Sequence, residues 1–424
     1  MPSPPPIYPV RDIALPPLES GQLSNGLDTY LINMGTQDLV RVELVYYAGR
    51  PYEQLPLVSR AATALLKEGS QHHTGAELAE HFDYYGAGFS TPFQMDTGNV
   101  VMYALNRHLP EVLPLFIEMV NAPRYRSADL AAFVRRKQQE LREDMSKTEV
   151  LAYRQVTANF FGEQHPYGYN SSYDLYAQLP LEALGQHHAR TFVAGNGFAL
   201  ISGSLDAKTA DYIYQQLAQL RSGAALPHPT LNSTDAAPNR QHLFHPGAVQ
   251  CAIRLGRRMF SRQHPDADGL YILGQLLGGY FGSRLMTNIR EDKGYTYNIS
   301  ANYETLRYDG SFQIETEVSP AYLEPCLREI HHEMQRLREE AVEEPELTML
   351  RNYLMGSFLS MVDGPFNWAE TIRTLLVEQR SPASFQALIQ KVQEIEPTEL
   401  QALAQKYLRA DDFWTVVAGP QMMN

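Results

Sequence analysis

Arg290 and Tyr297 stand seven residues apart and are the side chains in this sequence best suited to chemistry. They belong to the segment LLGGYFGSRLMTNIREDKGYTYNISA, which opens as an apolar run, breaks at glycines and resumes as a helical pattern ending at Gly294. Arg290 falls near the end of that helix, and Tyr297 enters the strand expected next. A guanidinium and a phenol on two rigid elements can stabilise one developing oxyanion. The spacing alone favours a simpler interpretation, with Gly294 as a helix C-cap, Arg290 solvated and Tyr297 a strand former.

The segment also resembles the C-terminal half of the pitrilysin-type zinc peptidases, the family with the inverted H-x-x-E-H motif. The resemblance extends along nearly the whole chain, through segments with family counterparts in the same order: QLSNGLDTYLI, VRVELVYYAGRPYEQ, EGSQHHTGAELAEHFDYYGAGFS, GEQHPYG and FALISGSLD. It implies that Arg290 and Tyr297 reach from the C-terminal half toward a zinc site. It also implies that Gly278, Gly279 and Gly282 form a loop that lines the cleft and contacts substrate. A flexible corner between helices explains these glycines equally well.

The departure from the family is at the metal. Aligned on the segment ALLKEGS, the zinc motif falls on positions where Arg60 replaces the first histidine, Thr63 the catalytic glutamate and Ala64 the second histidine. The family's third ligand, a glutamate on a later helix, falls on Glu140 or Glu143. Catalytic zinc needs about three protein ligands and an open position, and a lone carboxylate beside an arginine cannot hold it. We therefore expect this chain to bind no metal and the zinc to be held by a partner chain.

No substitute metal site emerges elsewhere in the sequence, which contains neither H-x-x-E-H nor H-E-x-x-H. Glu77, Glu80 and His81 are close on one helix face, but a solvated face explains them better. Further histidines form adjacent pairs, and adjacent helical residues point about 100° apart, which is poor chelation geometry. We interpret the pairs as surface residues and one further histidine as part of a turn or cap: His187–His188, His331–His332 and His165.

The chain is predicted to contain the same series of elements twice. A segment rich in Pro, Ser, Ala and Asn, residues 222–247, separates an N-terminal half (1–221) from a C-terminal half (248–424). Each half has a strand, an apolar helix, a strand pair, further helices and a closing strand. Because strands follow one another closely, we expect antiparallel pairing with helices on one face. The predicted fold is therefore α+β, two similar half-domains each built on a mostly antiparallel sheet, as the family resemblance also implies.

The composition excludes several classes of protein. With 424 residues, of which 44% are hydrophobic and 20% charged, the chain is typical of a globular protein with more than one core. Its formal net charge of −13 argues against a nucleic-acid partner. No apolar run of about 18 residues predicts a membrane span, and the first residues lack the features of a secretory signal. Cys251 and Cys326 are expected to be reduced structural thiols in a cytoplasmic protein.

The missing metal ligands and the retained Arg–Tyr pair predict a subunit without independent activity. We expect a metal-less partner in a heterodimeric zinc peptidase, whose other chain carries H-x-x-E-H while Arg290 and Tyr297 act in trans. A peptide substrate would add as a strand to a sheet edge, for which residues 86–91, followed by Pro92, are a candidate. The alternative is a catalytically inert homodimer of the same fold that binds peptides or serves as a scaffold.

Overall fold

The computed structural model describes residue 10, residues 12–232, residue 234 and residues 236–421. Within these, the strands of the N-terminal half are β1 (Glu19–Gln22), β2 (Asp28–Asn33), β3 (Leu39–Tyr46), β4 (Gly88–Ser90), β5 (Gly98–Leu105) and β6 (Gly197–Gly203). Its helices are α1 (Val58–Ala64), α2 (Gly75–Tyr84), α3 (Leu109–Asn121), α4 (Ser127–Asp144), α5 (Thr148–Phe161), α6 (Tyr173–Ala177), α7 (Leu181–Thr191) and α8 (Ala207–Leu217).

The C-terminal half is likewise built from strands and helices. Its strands are β7 (Arg240–Phe244), β8 (Cys251–Met259), β9 (Ile299–Thr305), β10 (Gly310–Val318) and β11 (Trp414–Gly419). Its helices are α9 (Ala267–Gly274), α10 (Leu323–Glu339), α11 (Glu344–Met361), α12 (Gly364–Val377), α13 (Ala383–Glu394) and α14 (Pro397–Tyr407). Two π-helical turns, Gln275–Gly279 and Met286–Asp292, lie between α9 and β9.

The two sheets share one strand order, which agrees with the predicted repetition. The first sheet runs β1-β2-β6-β3-β5-β4 and the second β7-β11-β8-β10-β9, so the second repeats the first without β1. In each sheet the neighbours are antiparallel except for one pair, β2 with β6 and β7 with β11. The predicted α+β fold class is therefore confirmed. Strand β7 falls inside the predicted linker 222–247; residues 233 and 235 of that linker, and residues 1–9 and 11, lie outside the described residues.

Each sheet is buried on both faces, and one covering layer comes from the other half of the chain. In the first sheet, Leu44 and Ile201 point into the core of the N-terminal half, whereas Val45 and Phe198 join the core that contains α12. Helix α12 lies on β2 and β6, and α5 reciprocally lies on β8 and β11. The prediction of helices on one face was incomplete, because the second face is covered by this exchange of helices.

A buried ion-pair network holds α12 against the first sheet. Glu43 is inaccessible on β3, and its carboxylate pairs with Arg41 at 2.6 Å and with Arg373 of α12 at 3.1 Å. Asn99 of β5 donates a further hydrogen bond to Glu43 at 2.9 Å. Glu370 of α12 completes the network by pairing with both arginines. Because buried charges are stable only when paired, this network favours the docked arrangement of α12.

We predict that Glu43→Gln destabilises the protein by about 3 kcal/mol, because it leaves Arg41 and Arg373 without their buried counter-charge. The control is Glu324→Gln, which breaks a half-exposed pair with Arg240 and should cost less than about 1 kcal/mol. Urea unfolding of the purified variants measures both effects. Equal loss of stability in the two variants would show that the Glu43 network does not hold α12 in place.

Candidate functional site

The predicted glycine loop connects α9 to the helical turn that carries Arg290. Gly278 lies against β9, where a Cβ atom would come 2.4 Å from the backbone nitrogen of Ala301. Gly279 and Gly282 are crowded by neighbouring side chains instead. Gly282 lines a polar cavity of about 740 Å³. Close packing against the sheet is thus sufficient reason for glycine at position 278, with no need of a substrate contact.

Arg290 lies on the second π-helical turn and is half exposed. Its guanidinium carbon is 4.5 Å from the centroid of the Phe281 ring, a cation–π contact. The turn ends at Gly294, which adopts a φ of +64°. This left-handed conformation is the one expected of a helix C-cap glycine, so the simpler interpretation of Gly294 agrees with the structure.

Tyr297 precedes β9 by two residues, where the sequence predicted that it would enter the strand, and it is 93% exposed. Together with Glu149 and Arg254, it lines a cavity of about 320 Å³. This cavity lies between the start of α5, the start of β8 and the end of β10. Arg254 forms an ion pair with Glu315 in the cavity wall. Arg290 does not line this cavity, and among the described residues it makes no hydrogen bond or ring contact with Tyr297. The structure therefore shows no direct contact between the two residues of the predicted pair.

Arg254 is a residue of this cavity that sequence reasoning missed. It lies within the apolar strand sequence CAIRLG, and its guanidinium carbon is 5.1 Å from the centroid of the Tyr153 ring on α5. A charged residue inside an apolar strand is expected to have a partner or a function. That signal was present in the sequence, but the partner, Glu315, is remote in the chain and could not be identified from it.

The residues predicted to align with the zinc motif lie on α1, and their side chains do not fit a zinc ion. Arg60 is half-buried, with its guanidinium carbon 5.3 Å from the centroid of the Phe93 ring. Thr63 is fully buried, and its hydroxyl has no hydrogen-bond partner among the described residues. Ala64 packs in an apolar cluster with α4 and α7. Across the part of the chain that the structure describes, no group of three His, Cys, Asp or Glu side chains is placed to hold a metal ion.

The structure brings Arg60 and Glu140 to the wall of one cavity of about 250 Å³, which residues of α1, α4 and α5 line. Glu140 also pairs with Lys137 at 2.5 Å. Glu143, the other candidate for the family's third ligand, is exposed and accepts a hydrogen bond from Gln139. Of the two glutamates, Glu140 therefore shares a cavity with Arg60, the residue predicted to align with the family's first histidine. This basic cavity is also lined by four further charged residues: Arg50, Lys137, Asp144 and Arg154.

The group of Glu77, Glu80 and His81 caps the N-terminus of α2 and forms part of its surface. Glu77 accepts hydrogen bonds from the backbone nitrogen and hydroxyl of Thr74, at 2.7 and 2.9 Å, in a capping box. The backbone hydrogen bond is the main reason that the pKa of Glu77 is lowered. His81 bonds the carbonyl oxygen of Glu111 through Nε2 at 2.9 Å, and Glu80 is exposed. The interpretation of this group as a solvated helix face agrees with these contacts.

The prediction that His187–His188 is a surface pair was wrong. The two residues are 2% and 4% exposed. Their Nε2 atoms lie 3.0 Å from the carbonyl oxygen of Ala48 and 2.8 Å from that of Val120, so each neutral ring donates to the backbone. Burial lowers the pKa of His187 to about 4 and that of His188 to about 3. The pair is structural, because α7 is packed on two sides.

The other three histidines singled out from the sequence, and both cysteines, have structural or surface positions. His332 is exposed and His331 is half-buried. His165 is buried in a turn, where its Nδ1 accepts a hydrogen bond from the backbone nitrogen two residues later at 3.1 Å; the predicted turn role is confirmed. Cys251 and Cys326 are buried free thiols, and burial raises the pKa of Cys326 to about 12. Neither thiol has the depressed pKa of a nucleophile.

Comparisons with known proteins agree with this architecture. Residues 178–354 match the family model described as the peptidase M16 inactive domain. An uncharacterized zinc protease of Mycobacterium leprae is 21% identical over 173 residues, 41% of this chain and 39% of that relative. The crystal structure of a peptidase M16 inactive domain from Pseudomonas fluorescens has a TM-score of 0.88 and 21% identity, covering 96% of this chain and 99% of that one. A protease from Helicobacter pylori also has a TM-score of 0.88, with 16% identity over 96% of this chain and all of its own.

These matches confirm the resemblance to the pitrilysin-type peptidases. The chain therefore has the fold of these peptidases, and its sequence contains no H-x-x-E-H motif. The match spans 39% of the Mycobacterium relative's length, so the activity of that whole protein is not carried over to this chain. Among the described residues, none of the helices combines the length and the apolar content needed to cross a bilayer.

We predict that the protein loses stability as the pH falls below about 6.5, because His187 and His188 are buried as neutral rings. An unfolded histidine takes up its proton near pH 6.5, whereas the folded rings resist protonation down to pKa values of about 4 and 3. The unfolded chain therefore binds more protons in this window, and the free energy of unfolding decreases with falling pH. Urea unfolding between about pH 7.5 and 4.5 measures the slope. His188→Gln should reduce it, and an unchanged slope would contradict a neutral buried His188.

Proposed function

We propose that this chain is the metal-less subunit of a heterodimeric zinc peptidase, supplying Tyr297 and Arg290 in trans together with part of a peptide-binding cleft. The observation that carries the proposal is the exposure of Tyr297, which is 93% accessible and has no hydrogen-bond partner among the described residues. Such an exposed aromatic side chain contributes little apolar burial to folding. Its phenol is therefore available to a group outside the chain.

In this arrangement, a partner with an intact H-x-x-E-H motif would provide the zinc-activated water and its general base. The phenol of Tyr297 and the guanidinium of Arg290 would donate hydrogen bonds to the oxyanion that forms at the scissile carbonyl. A donor preorganised for the transition state is worth about 3–4 kcal/mol. The role requires no metal on this chain, which agrees with the side chains that occupy α1.

Arg290 has to move in order to join Tyr297 at such a site. Its guanidinium stacks on Phe281, an interaction worth about 0.5–1 kcal/mol where both groups are accessible. Phe281 is itself 59% exposed, so the contact buries little surface. An oxyanion offers Arg290 a charge-assisted hydrogen bond, which is stronger than the contact it would replace. The observed position is thus a resting position that the proposed substrate complex would change.

The sheet edge proposed to receive a peptide lies at the margin of the first sheet. Strand β4 is at the end of the strand order and pairs with β5 on its inner side. Gly88 and Ser90 are exposed on it. An extended peptide can add to such an edge through main-chain hydrogen bonds. Because β4 has three residues, pockets beyond the strand would have to contribute to the choice of sequence.

The alternative function is that of an inert homodimer that binds peptides or acts as a scaffold. An exposed apolar surface near Gly282 supports it: Phe281, Met349 and Tyr353 are 59%, 53% and 42% exposed. Tyr280 stacks on Tyr353 with ring centroids 4.7 Å apart. Such a surface is typical of an assembly site. Sedimentation of the protein alone, and mixed with a homologue that carries H-x-x-E-H, distinguishes a homodimer from a heterodimer.

We predict that Tyr297→Phe leaves the complex with an H-x-x-E-H homologue assembled and lowers its kcat by about a hundredfold or more, because one oxyanion donor is lost. The measurement is peptide hydrolysis by the reconstituted complex, with zinc content determined in parallel. The chain alone is expected to be inactive under the same conditions.

Tyr295→Phe is the matched control for this experiment. It removes a phenol two residues away while keeping a ring that stacks on Tyr322 at a centroid distance of 4.7 Å. The control should leave kcat within about twofold of the unmodified complex. Full activity of an assembled Tyr297→Phe complex would exclude the role in trans and leave the scaffold. Chelator-sensitive hydrolysis by the chain alone would overturn both functions.

A further inference from the structure

The basic cavity contains Arg60, the residue predicted to align with the family's first zinc ligand, and has an excess of positive charge. Its wall carries four basic and two acidic side chains, an excess of two positive charges: Arg50, Arg60, Lys137 and Arg154 against Glu140 and Asp144. The chain as a whole has a formal net charge of −13. The cavity is therefore a local reversal of the charge of the protein, and such a concave site attracts anions.

The acidic residues of the basic cavity are already paired with lysines. Glu140 lies 2.5 Å from Lys137, and Asp144 lies 3.1 Å from Lys147. By contrast, none of the three cavity arginines forms an ion pair with a carboxylate within the described ranges of the chain. The excess charge thus resides on guanidinium groups, the side chains best suited to bind planar oxyanions.

Arg50 is the most buried of these arginines, at 8% exposure. It donates to the backbone carbonyl oxygens of Pro166 at 3.3 Å and Tyr169 at 3.0 Å, and its guanidinium carbon is 4.2 Å from the Tyr169 ring centroid. Glu53 attracts Arg50 electrostatically, but the Glu53 oxygens accept hydrogen bonds from Ser59 and Tyr169. A buried guanidinium held mainly by neutral groups retains a charge that an anion can compensate.

Arg154 and Arg60 approach the same space from α5 and α1. Arg154 donates to the carbonyl oxygen of Ser171 at 2.6 Å. Burial is the main reason that the pKa of Arg154 is lowered; the like charge of Arg50 adds to this effect, whereas Tyr176 and Asp144 oppose it. The side chain of Arg60 has no hydrogen bond among the described residues, and its guanidinium contacts the ring of Phe93. Three arginines therefore line one cavity, and none of them forms an ion pair with a carboxylate among the described residues.

We propose that the basic cavity binds a carboxylate group, with Arg60 as its direct ligand and Arg50 and Arg154 supplying further charge. The fork of a guanidinium matches the two oxygens of a carboxylate. The volume of about 250 Å³ accommodates a terminal residue or a small organic acid. Tyr153 and Tyr176 line the wall and can pack against the carbon chain behind the carboxylate. If the carboxylate is the carboxyl terminus of a peptide, this proposal rests on the proposed peptide-binding function. If it belongs to a small organic acid, the proposal does not depend on that function.

Calorimetric titration of the full chain without a partner tests this site. The probes are an N-acetylated tripeptide with a free carboxyl terminus, the same peptide as its C-terminal amide, succinate and inorganic phosphate. We expect the free-acid peptide or succinate to bind, and the amide to bind at least about tenfold more weakly than its free acid. The tighter of the two carboxylates identifies the source. Binding of the amide as tightly as its free acid, tighter binding of phosphate than of either carboxylate, or no binding of any probe overturns the proposal.

Arg60→Gln is the variant that tests the ligand role, because the Arg60 side chain makes no hydrogen bond within the described part of the chain and its loss should not impair folding. It should weaken carboxylate binding by about tenfold or more, and Arg60→Lys, which keeps the charge without the fork, should restore only part of it. Arg135→Gln makes the same change of charge at an exposed position of α4 and should leave the affinity within about twofold. Unchanged affinity in a folded Arg60→Gln variant overturns the proposal. Because this titration involves neither Tyr297 nor a partner, its failure is separable from failure of the catalytic role.

Discussion

Each half of this chain covers the second face of its sheet with a helix that the other half contributes. Helix α5 lies on β8 and β11, and α12 lies on β2 and β6. A sheet with two apolar faces has to be covered on both, so neither half can bury its core alone. The ion pairs of Glu43 occur at one of these exchanged contacts. The chain therefore repeats a series of elements without consisting of two independent domains.

The same exchange determines how the two candidate sites are related. The first turn of α5 contributes Glu149 to the cavity that Tyr297 lines, and the following turns contribute Tyr153 and Arg154 to the basic cavity. Tyr153 also contacts Arg254 of the first cavity through a cation–π interaction. One helix thus forms part of both walls.

The order of elements and the absence of an H-x-x-E-H motif could be predicted from the sequence, because both depend on residue types at fixed spacing. The burial of His187 and His188 could not, because an amphipathic pattern does not show that a helix is packed on two sides. The exchange of helices was missed for the same reason. Spacing also does not determine side-chain direction, which is why Arg290 contacts Phe281 and not the residue with which it was paired.

The contact between Arg290 and Phe281 relates assembly to chemistry in the proposed heterodimer. Phe281 is 59% exposed, and a partner that covers this part of the surface would bury the ring. A guanidinium buried with it would lose water without gaining a counter-ion, which is unfavourable. Burial of Phe281 therefore favours release of Arg290 toward an anionic group, and the oxyanion that forms when water adds to the scissile carbonyl is such a group. In the free chain the arginine remains on the ring, so Arg290 and Tyr297 would act together only after the partner has docked.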